Sequence, residues 1–109
     1  MKNIILYEQF LNESHVEMTI KEIERGEWRV VAHIGREEVG RLTFIESQYK
    51  PVLKATQVTV EPNHRRKGIG SDMYVFAERE LGKRFVRTED VLTPDGKAIW
   101  NSPNRKFGI

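Results

Sequence analysis

The sequence predicts a single α+β domain: a mostly antiparallel sheet with a long helix after its fourth strand. Three observations carry this. Apolar residues alternate with polar ones from Val16 to Val60, the period of half-buried strands. The period changes to that of a helix over Ile69, Met73, Phe76, Ala77 and Leu81. The chain has 109 residues, enough for one domain and one core.

The elements follow in order. Ile4, Tyr7 and Leu11 share one face of a helical wheel, so residues 1–13 read as a short amphipathic helix ahead of a domain over residues 14–109. Val16, Met18 and Ile20 form a first strand that turns at Arg25-Gly26. Trp28, Val30, Ala32 and Ile34 form a second, and Gly35-Arg36-Glu37 turns it into a third over residues 39–45. Ser47 to Pro51 is a loop.

Val52 to Val60 is the fourth strand, and its alternation has a fault. Leu53 and Ala55 are odd, whereas Val58 and Val60 are even, the shift of phase that a β-bulge produces. The long helix then runs to Gly82, a natural C-terminal stop. Phe85 to Val91 is a fifth strand. Thr93-Pro94 opens a short helix through Trp100, with threonine as N-cap and proline at the first helical position. Phe107 adds to a last edge strand. Trp28, Phe44 and Phe76 are expected in the core.

Composition removes several classes of function. Apolar residues are 39% and charged residues 31%, as in globular domains. No apolar run is long enough to span a membrane, which predicts a cytoplasmic setting in a bacterium or phage-infected cell. There is no cysteine, so no disulfide, thiolate metal site or cysteine nucleophile. A net charge of +2 suits an anionic small ligand better than nucleic acid. His15, His33 and His64 lack metal-ligand spacing and read as two strand residues and a loop residue.

The informative segment joins the fourth strand to the long helix: Val60-Glu61-Pro62-Asn63-His64-Arg65-Arg66-Lys67-Gly68-Ile69-Gly70-Ser71. The first N–H groups of a helix lack intrahelical partners and bind phosphate with the help of the helix dipole. Gly68 and Gly70 let an anion approach the backbone, and Arg65, Arg66 and Lys67 add positive charge. Ser71 adds a hydroxyl. The same spacing also describes a helix start with a solvated basic turn. It matches neither a Walker loop nor a dinucleotide loop.

The pattern Val60-x-Pro62-x-x-Arg65-x-x-Gly68-Ile69-Gly70 resembles the central motif of the GNAT N-acetyltransferases. The stretch Asp95-Gly96-Lys97-Ala98-Ile99-Trp100 is similar to a later helix of that family. The resemblance covers residues 15–107 by element order and is sharpest over residues 58–71. It implies a sheet splayed between the fourth and fifth strands and acetyl-CoA as co-substrate. By that resemblance Arg65, Arg66, Lys67, Gly68, Ile69, Gly70 and Ser71 hold the pyrophosphate. Val58 and Val60 offer backbone groups to the pantetheine arm, and the Val58 N–H serves as oxyanion donor.

The sequence departs from the family at three places. A tight hairpin over residues 23–27 stands where the family has one or two helices of the acceptor pocket. Trp100 stands where many members carry a tyrosine acid, and Lys54 stands near the register of the glutamate base. Glu61 and Tyr74 are nearby polar groups with poor matches. Lys83, Arg84 and Arg87 form a second basic group, read first as a solvated face. Leu11-Asn12-Glu13 resembles the end of a delivery peptide of proteins packaged into large tailed phages, so the virion is an alternative location.

These readings lead to an acetyl-CoA-dependent N-acetyltransferase acting on an amine of unknown identity. The alternatives are a CoA-binding or interaction protein of the same fold without catalysis and, less favoured, a nucleic-acid-binding module. The open acceptor side and an exposed sheet edge also point to a homodimer.

Overall fold

The alternation read from Val16 onward folds as a curled sheet with one helical layer against it. A computed structural model describes residues 4–8, 16–65, 67–88, 93–103 and 105–109. In chain order the elements are β1 (Ile4–Glu8), β2 (Val16–Glu24), β3 (Glu27–Ile34), β4 (Glu37–Glu46), β5 (Val52–Val60), α1 (Ile69–Leu81), β6 (Arg84–Val86) and α2 (Pro94–Trp100). The six strands lie side by side in sequence order. Every pairing is antiparallel except β5 with β6, which is parallel. The architecture is the mixed α+β one that the sequence predicts.

The expected amphipathic helix over residues 1–13 is corrected at Ile4–Glu8. That segment is a strand, paired antiparallel with β2 from Ile4↔Lys21 to Glu8↔Glu17. The run Ile4-Ile5-Leu6-Tyr7 is β-branched, bulky and aromatic, a composition suited to a sheet. Pairing with β2 outweighs the helical spacing of Ile4, Tyr7 and Leu11. The triplet Leu11-Asn12-Glu13 and His15 lie outside the described residues.

The core forms where the sheet meets α1. Met18 and Ile20 of β2, Val30 and Ala32 of β3, Leu42 and Phe44 of β4, and Leu53 and Ala55 of β5 are buried. They meet Ile69, Met73, Tyr74, Phe76 and Ala77 of α1. These helix residues fall three or four apart, so one face of α1 is apolar and covers the sheet. α1 stops at Gly82, whose φ of 65° is left-handed and whose N–H bonds the Glu78 carbonyl. Trp28 is only partly buried and donates its indole N–H to Glu46 at 2.8 Å.

The phase fault in β5 is a bulge. Thr43 pairs with Gln57 and Phe44 pairs with Ala55, which leaves Thr56 extra. Leu53 and Ala55 therefore point into the core before the bulge, and Val58 and Val60 after it. The Thr56 hydroxyl donates to the Thr43 carbonyl at 3.1 Å across the irregularity.

The end of the chain differs from expectation. β6 spans Arg84–Val86 and is shorter than the expected Phe85–Val91; residues 89–91 lie outside the described set. Phe107 belongs to no strand. It is fully buried and stacks on Tyr74 with ring centroids 4.3 Å apart. Glu78 on α1 accepts from two backbone N–H groups, Phe85 at 2.7 Å and Gly108 at 2.8 Å. One carboxylate thus ties β6 and the last residues to α1.

Candidate functional site

The site begins where β5 loses its neighbour. β5 and β6 pair only from Val52↔Arg84 to Lys54↔Val86, and beyond that point no described strand lies on this side of β5, while β4 stays paired on the other. This is the expected splay, between what are now β5 and β6. Within a strand, the N–H and C=O of one residue point to the same side. The Val58 carbonyl accepts from Thr93 Oγ1 at 2.8 Å, so the Val58 N–H also faces the splay. Val60 faces it too. Its N–H donates to Asp95 Oδ2 at 3.1 Å and its carbonyl accepts from Arg65 Nε at 3.0 Å.

From Val60 the chain runs through a 3-10 turn, Pro62–His64, to Gly68 and α1. Gly68 is the N-cap with φ 84°, and no side chain caps the helix. A left-handed N-cap without a side-chain acceptor leaves the first N–H groups of α1 open to an external anion. They line a cavity of about 660 Å³ between the start of α1 and α2. Val60, Arg65, Gly68, Ile69, Gly70 and Ser71 all border it. Val58 and Lys67 are outside its lining, and Arg66 is outside the described residues.

The two glycines have different surroundings. A Cβ on Gly68 would meet only Asp72 Oδ2, at 4.0 Å, but φ is positive. A Cβ on Gly70 would run into the Ile99 side chain of α2. Gly70 therefore also serves the close approach of α1 and α2.

Charge at this end is mixed. Arg65 Nη2 lies 3.4 Å from Asp95 Oδ2, with half of its side chain exposed. Burial pushes Asp72 up to about 6, against the pull of Lys106. The second basic group is not a free cluster. Lys83 pairs with Glu46, Arg84 reaches the Ile109 carbonyl and Arg87 donates to Asn101. A larger hollow, about 950 Å³, lies apart from the loop at the β2–β3 turn. It is lined by Glu22, Glu24, Glu27 and Glu46, of which Glu22 bonds the Gly26 N–H and Glu46 bonds Trp28.

Lys54 is exposed on β5, and Glu61 is exposed just past it. Trp100 and Tyr74 are both buried, with ring centroids 5.7 Å apart. Neither the indole N–H nor the phenol oxygen has a hydrogen-bond partner of good geometry among the described residues. Burial pushes the Tyr74 hydroxyl up to about 12, and the nearby indole offsets this only in part.

Sequence reasoning missed Thr93 and Asp95 as partners of β5, and His64, whose buried Nδ1 has no described partner at the cavity. Thr93 was legible as a cap, and it does accept from the Gly96 N–H at 3.2 Å. Its second bond, to Val58, spans the splay and leaves no local signal.

No family model matches the chain, and no curated protein does. Solved structures do. One is an aminoglycoside acetyltransferase from an uncultured soil metagenomic sample, in complex with trehalose. It is 22% identical with a TM-score of 0.54, over 72% of this chain and 53% of that one. Another is nourseothricin acetyltransferase, 21% identical with a TM-score of 0.49, over 63% of this chain and 44% of that one. The chain thus spans about half the length of these neighbours. With the bulged β5, the splay and the helix that follows, the likeness to the aminoglycoside enzyme shows that this chain has the fold of the GNAT-type acetyltransferases.

Proposed function

We propose that the chain binds acetyl-CoA at the start of α1 and transfers the acetyl group to an amine. The observation that carries this reading is the uncapped N-terminus of α1, which opens with Arg65 onto a cavity of about 660 Å³. Helix N–H donors and a guanidinium at one mouth suit a pyrophosphate. Arg65, Arg66 and Lys67 supply the charge, Gly68 and Gly70 the close backbone approach, and Ile69 and Ser71 further contacts of the first turn.

The chemistry asked of the chain is modest. The amine nitrogen attacks the thioester carbon, the C–N bond forms, and the C–S bond breaks with the thiolate as leaving group. The nitrogen gives its proton to solvent and the thiolate takes one. The Val58 N–H, turned to the splay, is the donor for the developing oxyanion. Positioning supplies the rest, because Lys54 and Trp100 offer neither a carboxylate base nor a useful acid. Among the described residues the sheet ends at β1 and β6, and pairing at such an end makes a homodimer part of this proposal.

A second reading is a CoA-binding protein without catalysis, favoured by the buried Trp100 indole, without a hydrogen-bond partner among the described residues, where an acid is expected. Free-thiol release from acetyl-CoA with a panel of amines separates the two. Release that depends on the amine supports transfer. Binding without release under every amine supports the second reading.

A further inference from the structure

Past the bulge, three of the backbone groups that Val58 and Val60 turn to the splay are already in use. Thr93 holds the Val58 carbonyl, Asp95 holds the Val60 N–H, and Arg65 holds the Val60 carbonyl while reaching Asp95 at 3.4 Å. Two of these three side chains come from the start of α2, which meets the sheet chiefly at β5. We propose that Thr93 and Asp95 form a displaceable plug on β5, so that an acyl-CoA must release the start of α2 before its arm pairs with Val58 and Val60. The inference rests on the acetyl-CoA reading and adds its regulation.

The physical reason is competition for the same atoms. The Val60 N–H has one hydrogen to give, and Asp95 takes it with a charged acceptor. An amide carbonyl on the arm cannot share it. The free chain is therefore held mostly in a closed state, and the apparent affinity falls with the open fraction. The Arg65–Asp95 contact extends the latch to the anion end, because Arg65 is drawn into the plug when no anion competes. A pyrophosphate competes with Asp95 for Arg65 and so loosens the plug as it docks.

Calorimetric titration of wild type and Asp95→Ala tests this with two ligands. One is acetyl-CoA. The other is 3′-phosphoadenosine 5′-diphosphate, which has the pyrophosphate and no arm. Asp95→Ala is expected to tighten acetyl-CoA roughly tenfold and the armless ligand clearly less, by about twofold to threefold, the share that passes through Arg65. Equal tightening of both means that Asp95 acts only through the charge of Arg65, and overturns the plug. Weaker acetyl-CoA binding means that Asp95 contacts the ligand, and also overturns it. Unchanged acetyl-CoA affinity with normal armless binding overturns the plug and leaves the binding loop standing. No binding of either ligand to either folded protein overturns the acetyl-CoA reading itself. Should Asp95→Ala melt early, Asp95→Asn keeps the shape and weakens the latch, and the same pattern with a smaller gain is expected.

Discussion

Gly68 and Gly70 are two residues apart and serve different ends. Gly68 sits at φ 84° in open space, so its cost is conformational. Gly68→Val puts a β-branched residue on this left-handed backbone and should cost about 1–3 kcal/mol. Gly68→Asn tolerates the left-handed backbone better and still adds a side chain at the anion's approach. Both variants are expected to lose acetyl-CoA binding, with Asn much closer to wild type in urea denaturation. Gly70→Ala presses on Ile99 and should cost about 1–3 kcal/mol through overpacking. Asp72 adds a pH dependence. Burial raises it from 3.8 to about 6, so the folded chain holds this proton more tightly than the unfolded one. The stability that this proton confers is complete below about pH 4 and is lost as pH rises through about 6. Melting curves between pH 4 and 7 should therefore flatten in Asp72→Asn. An unchanged slope would mean that another group carries it.

At the scale of elements, the sequence is most legible where one local rule suffices. The limits of α1 follow from its apolar spacing and Gly82, the α2 start from Thr93-Pro94, and the bulge from the misphased Leu53, Ala55, Val58 and Val60. It is least legible where a distant partner decides. Ile4–Glu8 becomes a strand because β2 offers an edge, and Phe107 is buried because Tyr74, Trp100 and Arg105 enclose it. Glu78 looks like one more surface charge of a helix, yet it holds two backbone N–H groups. Glu78→Ala should cost about 2–4 kcal/mol, since both donors lose a charged acceptor. Tyr74→Phe removes a hydroxyl with no described partner and should be neutral or slightly stabilising. Thermal unfolding of the two variants checks both. A cost for Tyr74→Phe equal to that of Glu78→Ala would show that the phenol has a partner.

The whole molecule is a thin slab, 38 × 34 × 19 Å, with its helices drawn to one face and one end of the sheet. The other face exposes Lys21, Lys54, Gln57 and Thr59. β2 and β3 join directly through the tight turn at Arg25-Gly26 that the sequence predicts, with no helix between them. Removing residues 1–13 would strip β1 and bare the edge of β2. Light scattering should then show association beyond that of the full chain. A deletion that stays as soluble and as thermostable as the full chain would instead favour a removable delivery segment.

The central claim is that the start of α1 holds a pyrophosphate through its backbone. Titration of wild type, Gly68→Asn and Arg65→Ala with acetyl-CoA and with a DNA duplex tests it most directly. The account predicts saturable acetyl-CoA binding by wild type and its loss in Gly68→Asn. Arg65→Ala should weaken binding by about 1–3 kcal/mol, the scale of a charge-assisted hydrogen bond. A folded wild type that ignores acetyl-CoA contradicts the account. So does one that binds DNA with an affinity governed by Arg65 and untouched at Gly68.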